Sequence, residues 1–239
     1  MSEKVQKKSS RILTFDLMRG YFLLSIIINH LNYSSAASFL TMKGELFVSS
    51  AEGFFFLSGI VLGIVRGAKL ITQPFGDVVK LLVKRSLQLY VVYAILTIAF
   101  TLIGWWFFID NPGLKPGIAA PDTHPLAMIW NVLTFSYLYG WVDYLRLYFI
   151  FILLSPIVIW LLRKGLWWVV IVTSLLVWQF APELPWPSNV YTQPYNWQVI
   201  FFTGMVLGFH WKQITAFWSN VPSIWRTLSI TLVVGIAIT

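Results

Sequence analysis

Three ionisable side chains, Asp16, Arg19 and His30, interrupt a single apolar run from Ile12 to Asn32. Each would cost about 2.5–3.5 kcal/mol to insert into a bilayer, so residues of this kind inside an apolar run are candidates for function. Asp16 and Arg19 are three residues apart, share one face of a helix, and can simply pair with each other. Arg19 and His30 are eleven residues apart, which returns them to one helical face with about 16 Å of rise between them. They cannot touch, but a groove along that helix could present both, one toward each leaflet.

The second apolar run opens with Ser49, Ser50, Ala51 and Glu52 and continues through Phe54, Phe55, Phe56, Leu57, Ser58 and Gly59. Glu52 would lie level with His30 if the two helices are antiparallel neighbours. A carboxylate beside a histidine holds the imidazole in the tautomer that a general base needs. The alternative is an interfacial histidine and a glutamate wetted by headgroups, and spacing alone does not choose between them. Ser58, Gly59 and Gly63 are small enough to let helices approach closely. Of the other histidines, His124 falls in a loop and His210 at the end of an apolar run, where a capping or interfacial role is expected. The chain has no cysteine, so it has neither disulfides nor a thiolate metal site, and no metal centre is expected.

The elements that must position these residues follow from composition. The chain is 58% hydrophobic and 11% charged, whereas soluble domains carry roughly 25% charged residues. A soluble globule of this size could not cover such a surface with polar groups. The expected fold class is therefore all-α, a polytopic transmembrane helix bundle forming a single domain over residues 1–239. Runs long enough to cross the hydrocarbon as helix lie near 12–32, 50–68, 81–108, 145–162, 165–181 and 196–211, giving six complete spans. A seventh run begins at Thr227 and is truncated at Thr239, so the domain is expected to be incomplete at its C-terminus. The stretch from Pro125 to Gly140 is apolar but short, and is read as an interfacial or re-entrant piece.

The formal net charge of +8 does not point to nucleic acid, because the basic residues flank the apolar runs in short clusters. The expected partner is the lipid bilayer. Lys4, Lys7, Lys8 and Arg11, then Arg66, Lys69, Lys80, Lys84 and Arg85, then Arg163 and Lys164, then Lys212 and Arg226 fall on one side. Cytosolic loops carry this excess. The opposite side has Lys43, Lys115 and Arg146 against six carboxylates, Glu45, Glu52, Asp110, Asp122, Asp143 and Glu183. These sets alternate as six spans require, with the N-terminus cytoplasmic in the cell's inner (plasma) membrane. The first run is too long for a signal peptide and carries Asp16 and Arg19, so it is read as a retained helix.

The segment "FDLMRGYFLLSIIINH" followed by "AEGFFFLSGIVLG" resembles the opening of the acyltransferase-three superfamily of membrane acyltransferases. The closer resemblance is to its OpgC-like branch, associated with succinylation of periplasmic glucans. Asp16, Arg19, Gly20, His30, Glu52, Ser58 and Gly59 fall on that pattern. So do "KRSLQLYVVY" from Lys84, "VDYLRLYFIFILLSPIVIWLL" with Asp143, Tyr148 and Pro156, and "NWQVIFFTGMVLG" with Trp197, Gln198 and Gly204. Two positions depart from it: Gln88 stands where the superfamily usually has Arg, and Arg146 where the branch tends to have Pro.

The resemblance implies an O-acyltransferase that moves a short acyl group, succinyl above others, from cytosolic acyl-CoA to a glucan or polysaccharide hydroxyl on the outer face. Acyl-CoA would be a co-substrate, with no tightly bound cofactor. His30 would be the base, oriented by Glu52. Arg19, oriented by Asp16, would hold the donor or its developing oxyanion. Asn196 and Gln198 would hydrogen-bond the glycan acceptor, with Trp197 and Asp143 beside them. Lys84 and Arg85 would meet CoA phosphates, or serve only as positive-inside anchors. The rival readings are a transporter or flippase using Arg19 and His30 as a relay, and a non-catalytic membrane subunit of a glycan-modifying complex.

Overall fold

The computed structural model describes residues 13–30, 41, 49–68, 71–107, 124–139, 142–180 and 193–238, and all its regular structure is helical. Helix α1 is Leu13–His30. Helix α2 is Ser50–Leu62, and it runs directly into a π-helical turn, Gly63–Ala68. Then follow α3 Phe75–Phe107, α4 Pro125–Leu133, α5 Asp143–Arg163, α6 Trp167–Phe180 and α7 Pro194–Phe209. Two peripheral helices, α8 Trp211–Asn220 and α9 Ser223–Ile238, complete it.

Among the described residues, three helical segments are long and apolar enough to cross a membrane: Ser50–Ala68, Phe75–Phe107 and Asp143–Arg163. This is fewer than the six complete spans expected. Helices do stand at the other expected positions, but α1 carries Asp16, Arg19, Asn29 and His30 in its 18 residues. Helix α6 has 14 residues and α7 has 16, about 21 and 24 Å of rise against a hydrocarbon core of about 30 Å. By contrast α3, with 33 residues, is about 50 Å long. Its first turns, with Asp77, Lys80, Lys84 and Arg85, form a polar extension of the spanning part.

The α2–α7 pair is the spine of the bundle. Sequence GIVLG, at the end of α2 and the first residue of the π-turn, faces GMVLG in α7. A methyl group on Gly59 would strike the Phe201 carbonyl, on Gly63 that of Met205, on Gly204 that of Phe56 and on Gly208 that of Ile60. The rising register shows that the two helices run parallel, and only glycine lets the backbones meet this closely. The packing role expected of Gly59 and Gly63 is thus seen, with α7 supplying the matching pair. Phe22 of α1 lies on Gly53, while Phe15 packs with Leu57, Ile60 and Ile64, so α1 is antiparallel to α2. Helix α5 is parallel to α7, with Phe151 against Phe201 and Ser155 Oγ donating to Met205 Sδ at 3.4 Å. Arg163 at the end of α5 donates to the Gln73 carbonyl just before α3, which makes those two antiparallel. Side chains outside these seams, among them Leu17, Leu24, Ile27, Leu87, Val91, Ile95, Trp168 and Leu175, are exposed, the surface a lipid-facing bundle needs.

The apolar stretch after Pro125 forms a nine-residue helix, about 13 Å long and too short to cross. The chain then turns at Phe135, whose φ is 59°. Tyrosines of α3 satisfy carbonyls that this turn leaves bare: Tyr90 donates to Leu133 at 2.8 Å, and Tyr93 to Tyr137 at 3.1 Å. Non-helical backbone needs such protein partners wherever water is excluded.

Candidate functional site

Four helices enclose a cavity of about 600 Å³ whose walls hold Arg19 from α1, Ser58 from α2, Arg66 from the π-turn, Lys84, Arg85 and Gln88 from α3, and Tyr148 from α5. None of its lining residues is acidic. Lys84, Arg85 and Gln88 also border a wider open groove of about 1070 Å³ along α3.

The local sequence explains how each cation arrives. Arg19 follows Asp16 by three positions, yet its guanidinium turns away from it. Its NH2 group donates to the Tyr148 hydroxyl at 3.4 Å, and its planar head lies 5.5 Å from the centre of the Phe54 ring. A weakly hydrated, delocalised cation can rest on an aromatic face in this way. Tyr148 is itself held edge-on by Phe54 and Phe201. Lys84 and Arg85 stand on the polar extension of α3, where they are exposed and line the cavity. Arg66 enters from the π-turn, a rare wide turn that is frequently found at functional sites. Four cations line one space, and no carboxylate lines it among the described residues, a composition that suits an anion.

The structure thus brings Arg19, Lys84 and Arg85 together, and adds Arg66, Tyr148 and Ser58. The other expected site residues lie elsewhere. Asp16 is exposed and forms no ion pair with Arg19 among the described residues. Glu52 closes a capping box: its Oε2 accepts from the Ser49 backbone N–H at 2.7 Å, while the Ser49 Oγ accepts from the Glu52 N–H at 3.2 Å. The backbone of His30 ends α1, and its side chain lies outside the described residues. From the Phe22–Gly53 crossing α1 continues for eight residues to His30, about 12 Å of rise. Glu52, one residue before that crossing, therefore sits beside the Phe22 turn rather than level with the end of α1.

At the start of α7 the side chains are already engaged with protein. The Gln198 amide, expected to donate to an acceptor sugar, instead donates to the Ser174 carbonyl at 2.7 Å and the Tyr195 carbonyl at 3.2 Å. This braces α7 to α6, because a buried amide takes the nearest acceptors. Gln198 borders a separate, apolar cavity of about 460 Å³ between α5, α6 and α7. Trp197 packs edge-on against Phe55, and Asn196 stands half-buried beside it. Asp143 is bound at 2.7 Å to Arg146 Nε, in a pair whose side chains are 7% and 0% exposed. Arg146, counted in sequence as an outer-side charge, is thus an internal one. No cluster among the described residues has the three His, Cys, Asp or Glu ligands that would hold a metal ion.

Arg66 was visible in sequence as a flanking charge, but nothing in its neighbours announces the π-turn. Tyr148 lay within a recognisable block without any sign that Arg19, 129 positions away, would reach it.

A family model described as "OpgC protein" matches residues 11–239. No curated protein and no solved structure matches the chain. The match spans nearly the whole sequence, and the chain belongs to the OpgC family.

Proposed function

From membership of the OpgC family, we propose that this chain is an integral membrane O-acyltransferase. It transfers a short acyl group, succinyl above others, from cytosolic acyl-CoA to a hydroxyl of a periplasmic or extracellular glucan. In this reading the bundle crosses the plasma membrane six times and begins a seventh crossing, with its N-terminus in the cytosol. The observation that carries it is the cavity where Arg19, Arg66, Lys84 and Arg85 converge without a carboxylate. Coenzyme A is a polyanion, and Arg and Lys side chains are the usual partners of its phosphates. In this reading three of the cavity's cations, Arg66, Lys84 and Arg85, belong to the Lys- and Arg-rich flanks read from the sequence as cytosolic.

In the transfer, the acceptor hydroxyl oxygen attacks the thioester carbonyl. The new C–O bond forms, the C–S bond breaks, and CoA leaves as a thiol carrying the hydroxyl's proton in net balance. His30 is the base in this scheme. It lies about 16 Å along α1 from Arg19, so the two do not act on one atom. Arg19 then holds the donor, and His30 serves the acceptor at the opposite end of α1.

The test is a membrane preparation containing the full chain, given acyl-labelled CoA and an extracted glucan fraction. Label should move to glucan, and His30→Ala should abolish the transfer without preventing membrane insertion. Lys84→Ala should raise the KM for acyl-CoA about fivefold with kcat nearly unchanged, as expected for a residue that binds ground state and transition state alike. Label remaining entirely on CoA with the unmodified protein would overturn the reading.

A further inference from the structure

Several buried hydroxyls of this bundle bond a carbonyl one turn back along their own helix. Ser155 donates to Phe151 at 2.7 Å, Thr101 to Thr97 at 2.8 Å and Ser86 to Val83 at 2.9 Å. This is the ordinary way to satisfy a serine or threonine within a helix. Ser58 does not do it. Its side chain is 2% exposed, its Oγ has no hydrogen-bond partner among the described residues, and it lines the cationic cavity. Ser25 and Thr97 also leave their hydroxyls bare, but neither is part of that wall.

Arg19 shows the same condition on the facing helix. One arm of its guanidinium is bound to Tyr148, while its Nε is buried with no partner among the described residues. An N–H and an O–H are thus left unmade in the wall of one cavity, and both can donate. Bare buried donors are costly, and a ligand that accepts from them recovers that cost. The cations on α3 differ in kind: Lys84 and Arg85 are exposed and suit phosphates that keep part of their hydration. The deep pair suits a neutral or weakly charged oxygen that only accepts.

We propose that Ser58 is a substrate-contacting residue, its hydroxyl acting with Arg19 Nε to bind a carbonyl oxygen of the donor's arm. This rests on the cavity being the acyl-CoA site. Two carbonyl sources share this chemistry: the amides of the pantetheine arm, present in CoA itself, and the acyl carbonyl, present only in the loaded donor. The packing role of Ser58 is separable, because alanine keeps the small volume and removes only the hydroxyl.

Binding to the purified full chain in nanodiscs is measured for CoA and for a non-transferable ketone analogue of acyl-CoA, in which a methylene separates the sulfur from the carbonyl, comparing wild type with Ser58→Ala. An affinity loss of about fivefold or more for both ligands supports the proposal and assigns the arm's amides. A loss confined to the analogue supports it, assigns the acyl carbonyl, and removes His30 as the base, because the attacked carbon would then lie beside Arg19, about 16 Å along α1 from His30. Unchanged affinity for both, with wild type binding normally, overturns the role of Ser58 and leaves the acyltransferase reading standing. Failure of wild type to bind either ligand overturns both. Thermal unfolding of the variant in the same nanodiscs should match wild type, and a large fall there with proportionate loss of all binding would return Ser58 to a packing role.

Discussion

Arg19 and Tyr148, 129 residues apart in sequence, meet at 3.4 Å and tie α1 to α5 across the cationic cavity. The contact holds one arm of the guanidinium and leaves Nε for another partner. Tyr148→Phe keeps the ring and its contacts with Phe54 and Phe201 but removes the hydroxyl. Stability should fall by about 1 kcal/mol or less. Transfer activity should fall about tenfold, through a less fixed Arg19. The check is acyl transfer together with thermal unfolding, and an activity loss no larger than the stability loss would show that Tyr148 does not position Arg19.

Glu52 offers a clean separation of charge from capping. In the capping box a glutamine can replace glutamate, because its carbonyl oxygen also accepts from the backbone N–H. Glu52→Gln should therefore retain the fold and the transfer rate, while Glu52→Ala should lose about 1 kcal/mol through the frayed start of α2. Rates and unfolding curves for the two variants decide it. A strong loss of rate in the glutamine variant alone would restore Glu52 as the partner of His30.

The buried ion pair of Asp143 and Arg146 predicts an asymmetry. Removing one partner leaves a charge in the core, as Asp143→Ala would, and should cost about 3–5 kcal/mol. Replacing both, as in Asp143→Leu with Arg146→Met, should recover much of that loss, because apolar side chains of similar volume need no compensation. Unfolding in detergent or nanodiscs measures both. Equal destabilisation by the single and double replacements would show that the pair's worth lies outside its charges.

The glycine seam predicts a positional contrast. Gly59→Leu drives a side chain into the Phe201 carbonyl and should cost at least about 1–3 kcal/mol, the range for overpacking. Gly76→Ala adds a methyl group where no other atom is near, and should be neutral or slightly stabilising in the first turn of α3. Yield of folded protein and unfolding temperature in a shared detergent would show the difference.

The sequence by itself determined the all-helical class and the approximate positions of most helices, because hydrophobic run length and flanking charge are local properties; it did not give the early start of α3 at Phe75, the separate helix α8 or the number of spans. Asp16, Arg19 and His30 stood out for the same reason: an ionisable residue within an apolar run is legible without knowing its neighbours. Lys84 and Arg85 were legible as binding candidates on equal terms with simple anchors. Helix packing decided the rest. It turned Arg19 away from nearby Asp16 toward distant Tyr148, engaged Glu52 at its own helix start, and committed Gln198 to the Ser174 carbonyl. It also gathered Arg66 with Lys84 and Arg85 around one cavity, and left Ser58 without the bond its neighbours make. A polar side chain takes whichever partner the assembled bundle brings within about 3 Å. That choice is set by helix register and by glycine-permitted approach, which no local spacing encodes.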